Sequence, residues 1–123
     1  MELAREAAAA LGPVEATPEG FLTTLKVPAE ATVLAGHFPG QPVVPAVYLI
    51  EAACAAALKA KGAGPLKGIR QAKFLRQVLP EVEVELRGSL EGTAEGWVLD
   101  VEISLKGERA AFLCLELGSR DPG

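Results

Sequence analysis

The sequence predicts an α+β domain in which one antiparallel β-sheet wraps around a single buried α-helix. Residues 46–58 would be apolar on every face of a helix apart from one charge, Glu51. The second half of the chain alternates apolar and polar residues in segments with short connections, which favours antiparallel strands. A length of 123 residues suits one domain, predicted at residues 1–118 with a disordered tail at 119–123.

The first half of the chain provides the predicted helices. Residues 2–11 are rich in alanine and predict a short helix that Gly12 ends. Residues 20–27 alternate as a strand does. A long connection with several prolines then leads to the central helix, which is predicted to begin at Pro45, to run to about Lys59 and to be ended by Gly62 and Gly64. A connection of this length in a small domain is usually functional.

The second half predicts a series of strands. An extended segment is expected at residues 68–78, and alternating strands at residues 81–92, 96–107 and 109–118. Glycines near position 92 and at position 107 indicate hairpin turns. The sheet therefore follows the central helix along the chain and has one face exposed to solvent.

Composition limits the possible partners. Half of the residues are apolar, more than one small core needs, which indicates a buried subunit interface. A net charge of −4 provides no basic face for nucleic acid. The longest uncharged run contains prolines and does not predict a membrane helix. Cys54 and Cys114 lie in apolar segments and are predicted to be reduced rather than metal-bound, so we expect a cytoplasmic protein without metal or cofactor.

Glu51 and His37 are the candidate catalytic residues. Burial in an apolar helix favours the protonated form of a carboxyl, which is the condition of a general acid. His37, the only histidine, lies in GHFPG. The two glycines there permit unusual torsions, Pro39 restricts its own φ and makes Phe38 extended, and a histidine held rigidly in this way is able to act as a base. The alternatives are a Glu51 that turns to solvent or makes a structural hydrogen bond, and an idle, solvated His37.

Two motifs resemble those of a known family. GHFPGQPVVPAVYLIEA, at residues 36–52, is similar to G-H-F-P-G-x-P-x-x-P-G-V-L-x-x-E-A of the bacterial 3-hydroxyacyl-acyl-carrier-protein dehydratases, and the spacing from His37 to Glu51 is kept. Further on, AKFLRQVLPEVEVEL, at residues 72–86, resembles the family's A-R-F-x-R-P-V-x-P-G-D-x-L. Two separate motifs in the same order make the resemblance specific.

The resemblance implies the hotdog fold, an antiparallel sheet around a central helix, and homodimers or multiples of dimers whose sheets join edge to edge. It also implies that the histidine of one subunit and the glutamate of the other face a tunnel for the acyl chain. His37 would then take a proton from C2 of a 3-hydroxyacyl thioester, and Glu51 would protonate the departing hydroxyl. The carrier would be acyl-carrier protein or coenzyme A.

The remaining site residues also follow from the resemblance. The backbone N–H of Ala46, at the start of the helix, would polarise the thioester carbonyl. The other residues implied to bind substrate are Phe38, Gly40, Val47 and Tyr48.

The chain also departs from the family pattern. Ala46, Tyr48 and Ala55 replace a glycine, a leucine and a glutamine, and the second motif lacks the glycine and aspartate of P-G-D. These changes indicate a divergent member with a different acyl substrate. Two alternatives stay open: a hotdog thioesterase in which Glu51 activates water, and a non-catalytic acyl-binding subunit. The pairing of a base with an acid favours dehydration.

Overall fold

The computed structural model describes residues 2–29 and 43–119, which form two helices and one six-stranded antiparallel sheet. The helices are α1 (Glu2–Ala9) and α2 (Ala46–Lys61). The strands are β1 (Glu15–Ala16), β2 (Gly20–Leu25), β3 (Leu66–Phe74), β4 (Val84–Thr93), β5 (Gly96–Leu105) and β6 (Glu108–Gly118). Their order in the sheet is β1-β2-β4-β5-β6-β3, so β1 and β3 are its edges. The predicted α+β class and antiparallel sheet are confirmed.

Strands β4, β5 and β6 form a meander whose alternating side chains supply a large part of the core. The buried apolar residues of these strands are Val84, Leu86, Leu99, Val101, Ile103, Ala110, Ala111, Leu113, Leu115 and Leu117. The β5–β6 hairpin turns at Lys106 and Gly107, whose φ angles are 52° and 83°. Two successive positive φ angles match the right-handed twist of paired strands. The turn was predicted one residue further on.

Helix α2 lies across the inner face of the sheet and contacts α1, β2 and β4. It runs to Lys61, two residues beyond the predicted end, and Gly62 terminates it, as predicted, because this residue takes the left-handed conformation with φ 70°. Pro45 precedes the first helical residue instead of occupying it. Only part of the helix is buried within one chain, since Val47 and Leu58 are 46% and 45% exposed. The prediction of a helix packed on every side is therefore wrong for the single chain.

The second motif forms a turn where the sequence predicted an extended segment up to residue 78 and a new strand from residue 81. Strand β3 ends at Phe74 because the N–H groups of Leu75 and Arg76 both donate to the carbonyl of Ala110 and leave the regular ladder. The next strand then begins at Val84 rather than at residue 81. Two short features also escaped the prediction, namely strand β1 and the start of β3 at Leu66.

Strand β3 leaves one side of the sheet unpaired. Among the described strands its only neighbour is β6, and eight of its nine residues are exposed. Exposed apolar side chains on it include Leu66, Ile69 and Phe74. The predicted tail at 119–123 falls mostly outside the described residues. Neither described helix has the length and hydrophobicity needed to cross a membrane.

Candidate active site

Helix α2 places Glu51 on the wall of a cavity. Glu51, Cys54, Ala55 and Leu58 follow one another at helical spacing, and all four line this space of about 860 Å³. Glu51 itself is half-buried. The volume is within the range of small-molecule sites. We call this space the Glu51 cavity.

The rest of the Glu51 cavity comes from two other parts of the chain. Helix α1 contributes Ala4, Arg5 and Ala8, and the connection from α2 to β3 contributes residues 63–66. Most of these side chains are small and apolar, so the wall is suited to an acyl chain. The carboxylate of Glu51 and the guanidinium of Arg5 bring opposite charges to the same cavity.

Cys54 reports on the environment of Glu51, one helical turn away. Burial raises the pKa of the Cys54 thiol to about 12, and the nearby charge of Glu51 contributes to the increase. A protonated thiol is a poor nucleophile, so Cys54 stays unreactive near neutral pH. Within the described ranges no group of His, Cys, Asp or Glu side chains is arranged to hold a metal ion.

We expect Glu51→Gln to speed the alkylation of Cys54 by iodoacetamide at a fixed, mildly alkaline pH. Removing a unit charge about 6 Å away in a half-exposed site lowers the thiol pKa enough for a roughly 3- to 10-fold increase in rate. Mass spectrometry of the two cysteine peptides measures each rate separately.

Asp100→Asn is the matched control for this measurement. The pKa of Cys114 is raised by burial and then by a hydrogen bond to Asp100, so this variant should change Cys114 and leave Cys54 unchanged. An alkylation rate of Cys54 that is equal in wild type and Glu51→Gln would contradict an electrostatic contribution of Glu51 to the raised pKa of this thiol.

The start of α2 borders a second, smaller cavity. This space of about 320 Å³ is lined by residues 43–46, Leu49 and residues 74–78. Pro45 has no N–H, and its carbonyl accepts hydrogen bonds from the N–H groups of Tyr48 and Leu49. The N–H groups of Ala46 and Val47 have no acceptor within the helix, as at any helix start. Both residues are exposed in the single chain.

One chain does not direct Ala46 and Glu51 at the same space. Five residues on an α-helix correspond to a rotation of about 140° and a rise of about 7.5 Å. The two residues accordingly line different cavities.

Tyr48 is fully buried, and its hydroxyl donates a hydrogen bond to the carbonyl of Glu6 at 3.2 Å. Burial, and secondarily the charge of Glu6, raises the pKa of Tyr48, so the hydroxyl is a stable donor. The residue joins α2 to α1 and is not among those lining either cavity described above. Its predicted contact with substrate, like that of Val47, stays a prediction.

The other predicted site residues, His37, Phe38 and Gly40, lie outside the described residues. The sequence reasoning missed two residues of the Glu51 cavity. Cys54 was recognisable from its spacing of three residues after Glu51. Arg5 gave no signal, because its position depends on how α1 packs against α2.

Comparison with known proteins assigns the chain to a family. The family model for the ApeI dehydratase, called ApeI-like, matches residues 14–111. The chain belongs to the ApeI-like dehydratase family. One relative is the 3-hydroxyacyl-[acyl-carrier-protein] dehydratase FabZ of Rickettsia bellii (strain RML369-C). It is 31% identical over 109 residues, which are 80% of this chain and 75% of the relative. The predicted relationship to the hotdog dehydratases, as a divergent member, is confirmed.

Solved structures agree on the fold of this ApeI-like chain. The dehydratase heterocomplex ApeI:P from Xenorhabdus doucetiae gives a TM-score of 0.71 at 21% identity, covering 83% of this chain and 89% of that one. A hypothetical thioesterase with coenzyme A from Streptococcus pneumoniae TIGR4 gives a TM-score of 0.60 at 17% identity, covering 89% and 90%. The hotdog fold predicted from the resemblance is confirmed.

Proposed function

We propose that the chain is a dehydratase of 3-hydroxyacyl thioesters and that two copies share each active site. The observation that carries the proposal is the position of Glu51 on the wall of an apolar cavity, on a different face of α2 from Ala46. If Glu51 is the acid and the N–H of Ala46 is the oxyanion donor, the two groups that act on one substrate would therefore come from different chains. The resemblance of the sequence implies that His37 and Glu51 act from different chains, so we infer that His37 and the donor come from the same one.

The dimer we propose forms across strand β3. Within the described part of the chain, this edge strand has one side without a partner strand, and it carries exposed apolar side chains such as Ile69, which is 52% exposed. An edge of this kind is normally covered in the native assembly. A second copy that adds its own β3 would pair the backbone and bury these side chains. Val47 and Leu58 on the uncovered face of α2 offer further apolar surface for the same contact.

In the proposed reaction the imidazole of His37 removes a proton from C2 of the thioester. The electrons form the C2=C3 double bond while the C3–O bond breaks, and Glu51 of the other chain gives its proton to the leaving hydroxyl, which departs as water. The N–H of Ala46 stabilises the negative charge that develops on the thioester oxygen. A proton then passes through solvent from the imidazolium to the carboxylate and restores the starting state.

The Glu51 cavity supports this use of the carboxyl. Its apolar wall of alanines and leucines would hold the acyl chain and exclude water from the reacting carbons. The substrate would be attached to acyl-carrier protein, the carrier in the name of the Rickettsia bellii relative, or to coenzyme A. We propose no cofactor, because acid–base chemistry on a thioester requires none.

Thioester hydrolysis is the second candidate function. It is favoured by the structural similarity to a hypothetical thioesterase from Streptococcus pneumoniae and by the same half-buried Glu51, which in that reaction would activate water. Hydrolysis gives a free thiol, whereas dehydration and its reverse remove or add water across C2 and C3 and leave the thioester bond intact. The two reactions are therefore separable in a single assay.

The test is to incubate the protein with crotonyl-coenzyme A and with a longer 2-enoyl-coenzyme A. We expect the absorbance of the conjugated thioester to fall as water adds, with no release of free thiol. Thiol release at the rate of absorbance loss would assign the chain to the thioesterases. A folded protein that changes neither the absorbance nor the amount of free thiol, with coenzyme A thioesters and with acyl-carrier-protein thioesters, would favour an acyl-binding subunit.

A further inference from the structure

One cation lies among the small apolar side chains of the Glu51 cavity. Of the described residues that line this space, only Glu51 and Arg5 are charged, and the side chains of the others carry no nitrogen or oxygen. A molecule that occupies the cavity therefore meets a single guanidinium, surrounded by methyl and methylene groups.

The position of Arg5 is set by the packing of α1 against α2. Ala7, two residues further along α1, is fully buried in the core. The hydroxyl of Tyr48 donates to the carbonyl of Glu6, the residue directly after Arg5, at 3.2 Å. Because these contacts hold α1 in one orientation, Arg5 and Ala8 lie on the side of the helix that lines the cavity.

The wall between α2 and β3 is also held by hydrogen bonds. The N–H of Gly64 donates to the carbonyl of Gly118 at 2.8 Å, and the N–H of Gly118 donates to the carbonyl of Pro65 at 2.8 Å. The N–H of Ala63 donates to the carbonyl of Ala57 at 3.4 Å. The described wall therefore has a defined shape, as the walls of preformed ligand sites do.

Arg5 makes no ion pair within the described part of the chain. The arginines that do are Arg70, Arg76 and Arg109, which lie on the sheet or in the turn after β3. Arg5 is exposed in the single chain, so water solvates its guanidinium. An acyl chain that fills the cavity displaces part of this water. A charged group that loses water without gaining a partner is destabilised, so the guanidinium then requires an anion.

The anion has to come from the acyl chain beyond C3. Glu51 is unsuitable, because the proposed dehydration needs its protonated, neutral form. The thioester end of the substrate is assigned to the N–H of Ala46 in the other chain, and the C3 hydroxyl is assigned to Glu51. The part of the substrate that remains to contact Arg5 is the rest of the acyl chain. A carboxylate matches a guanidinium best, since it accepts two parallel hydrogen bonds from it.

We propose that Arg5 determines the acyl specificity of this site and selects 3-hydroxyacyl thioesters whose acyl chain carries a carboxylate beyond C3. The guanidinium donates two N–H groups to the carboxylate oxygens, while the methylene groups of the chain pack against Ala8, Ala55 and Leu58. This specificity rests on the proposed function for the position of the reacting carbons. A plain hydrocarbon chain would leave the guanidinium without an anion.

Matched pairs of substrates measure this specificity. 2-Hexenedioyl-coenzyme A and 2-hexenoyl-coenzyme A have equal chain lengths and differ in a terminal carboxylate, and 2-decenedioyl- and 2-decenoyl-coenzyme A repeat the comparison on a longer chain. We expect wild type to hydrate the acid of at least one pair with about 10- to 100-fold higher kcat/KM, the range of a hydrogen bond to a charged group. A wild type without this preference at either length would overturn the proposal.

Three variants assign the preference to Arg5. Arg5→Met removes the charge and should reverse the preference, because the acid loses its partner and the neutral chain gains an apolar one. Arg5→Lys keeps the charge without the planar fork and should retain part of the preference. Arg87→Met is the matched control, since Arg87 is exposed on β4 and does not line the cavity. An equal loss for both members of a pair in Arg5→Met would place the guanidinium against coenzyme A or Glu51 and overturn the proposal.

A binding measurement does not depend on activity. The probes are S-hexyl- and S-(5-carboxypentyl)-coenzyme A, two thioethers of equal chain length that are neither hydrated nor hydrolysed, and the corresponding S-decyl and S-(9-carboxynonyl) pair. In isothermal titration calorimetry we expect a roughly 10- to 100-fold lower Kd for the carboxylated member of at least one pair, and no such difference in Arg5→Met.

The two measurements fail separately. If wild type is inactive on every thioester, the proposed function fails, and calorimetry with the thioethers still decides whether Arg5 recognises the carboxylate. Equal Kd values for the two members of each pair in wild type, or a difference that persists unchanged in Arg5→Met, would overturn the inference.

Discussion

Glu51→Gln is expected to reduce the rate of 2-enoyl thioester hydration by about 100- to 10,000-fold, the usual effect of losing a positioned acid or base. Glutamine keeps the size of the side chain and its hydrogen-bonding capacity, but it cannot take a proton from the water that adds to C3, nor return that proton to the hydroxyl in the reverse dehydration. His37→Ala should cause a loss of similar size. The measurement is kcat for crotonyl-coenzyme A and a longer analogue, with melting temperature to confirm folding.

Glu91→Gln provides the control for this loss. Glu91 is an exposed residue of β4, and its neutralisation changes the net charge as Glu51→Gln does without touching the Glu51 cavity. Its rate should equal that of wild type. A folded Glu51→Gln or His37→Ala variant with nearly full activity would remove the basis for acid–base catalysis by these residues.

Ile69→Asp is expected to separate the dimer and to abolish activity with it. Ile69 is half-exposed in the single chain, so the substitution should leave the fold intact. An unpaired carboxylate in an apolar interface costs about 3–5 kcal/mol, which corresponds to a roughly 150- to 5,000-fold weaker association. Light scattering at several protein concentrations measures the association, and the hydration assay on the same samples measures the activity.

Thr93→Asp is the control for Ile69→Asp. Thr93 is exposed at the end of β4, an interior strand of the sheet, so the new charge lies away from the β3 edge. This variant should keep the mass and activity of wild type. An Ile69→Asp protein that is monomeric and fully active would contradict an active site built from two chains.

The central helix and the meander were predictable because their patterns arise from local spacing. A long run with one charge predicted α2, and alternation predicted β4 to β6. The pattern misled at Glu81, since EVEVEL alternates as a strand does, while the backbone turns there to bind Val27 and Ala29. Burial of α2 was overestimated because an apolar sequence does not show whether its own chain or a second copy covers it.

The candidate site was predictable only for residues that stand out within one segment of the sequence, by their charge or by a motif. Glu51 stood out as a lone charge among apolar residues, and the structure places it beside a cavity. Arg5 enters the same cavity through the packing of α1 on α2, which no local pattern encodes. His37 was identified by its motif and remains a prediction.

Mixing two inactive variants tests the shared active site most directly. His37→Ala and Glu51→Gln chains are combined in equal amounts, unfolded and refolded together so that they pair at random. Half of the dimers are then mixed, and each mixed dimer has one site with both His37 and Glu51, so we expect roughly one quarter of wild-type activity. Activity that stays at the level of the separate variants, in a sample shown by mass spectrometry to contain mixed dimers, would contradict the account.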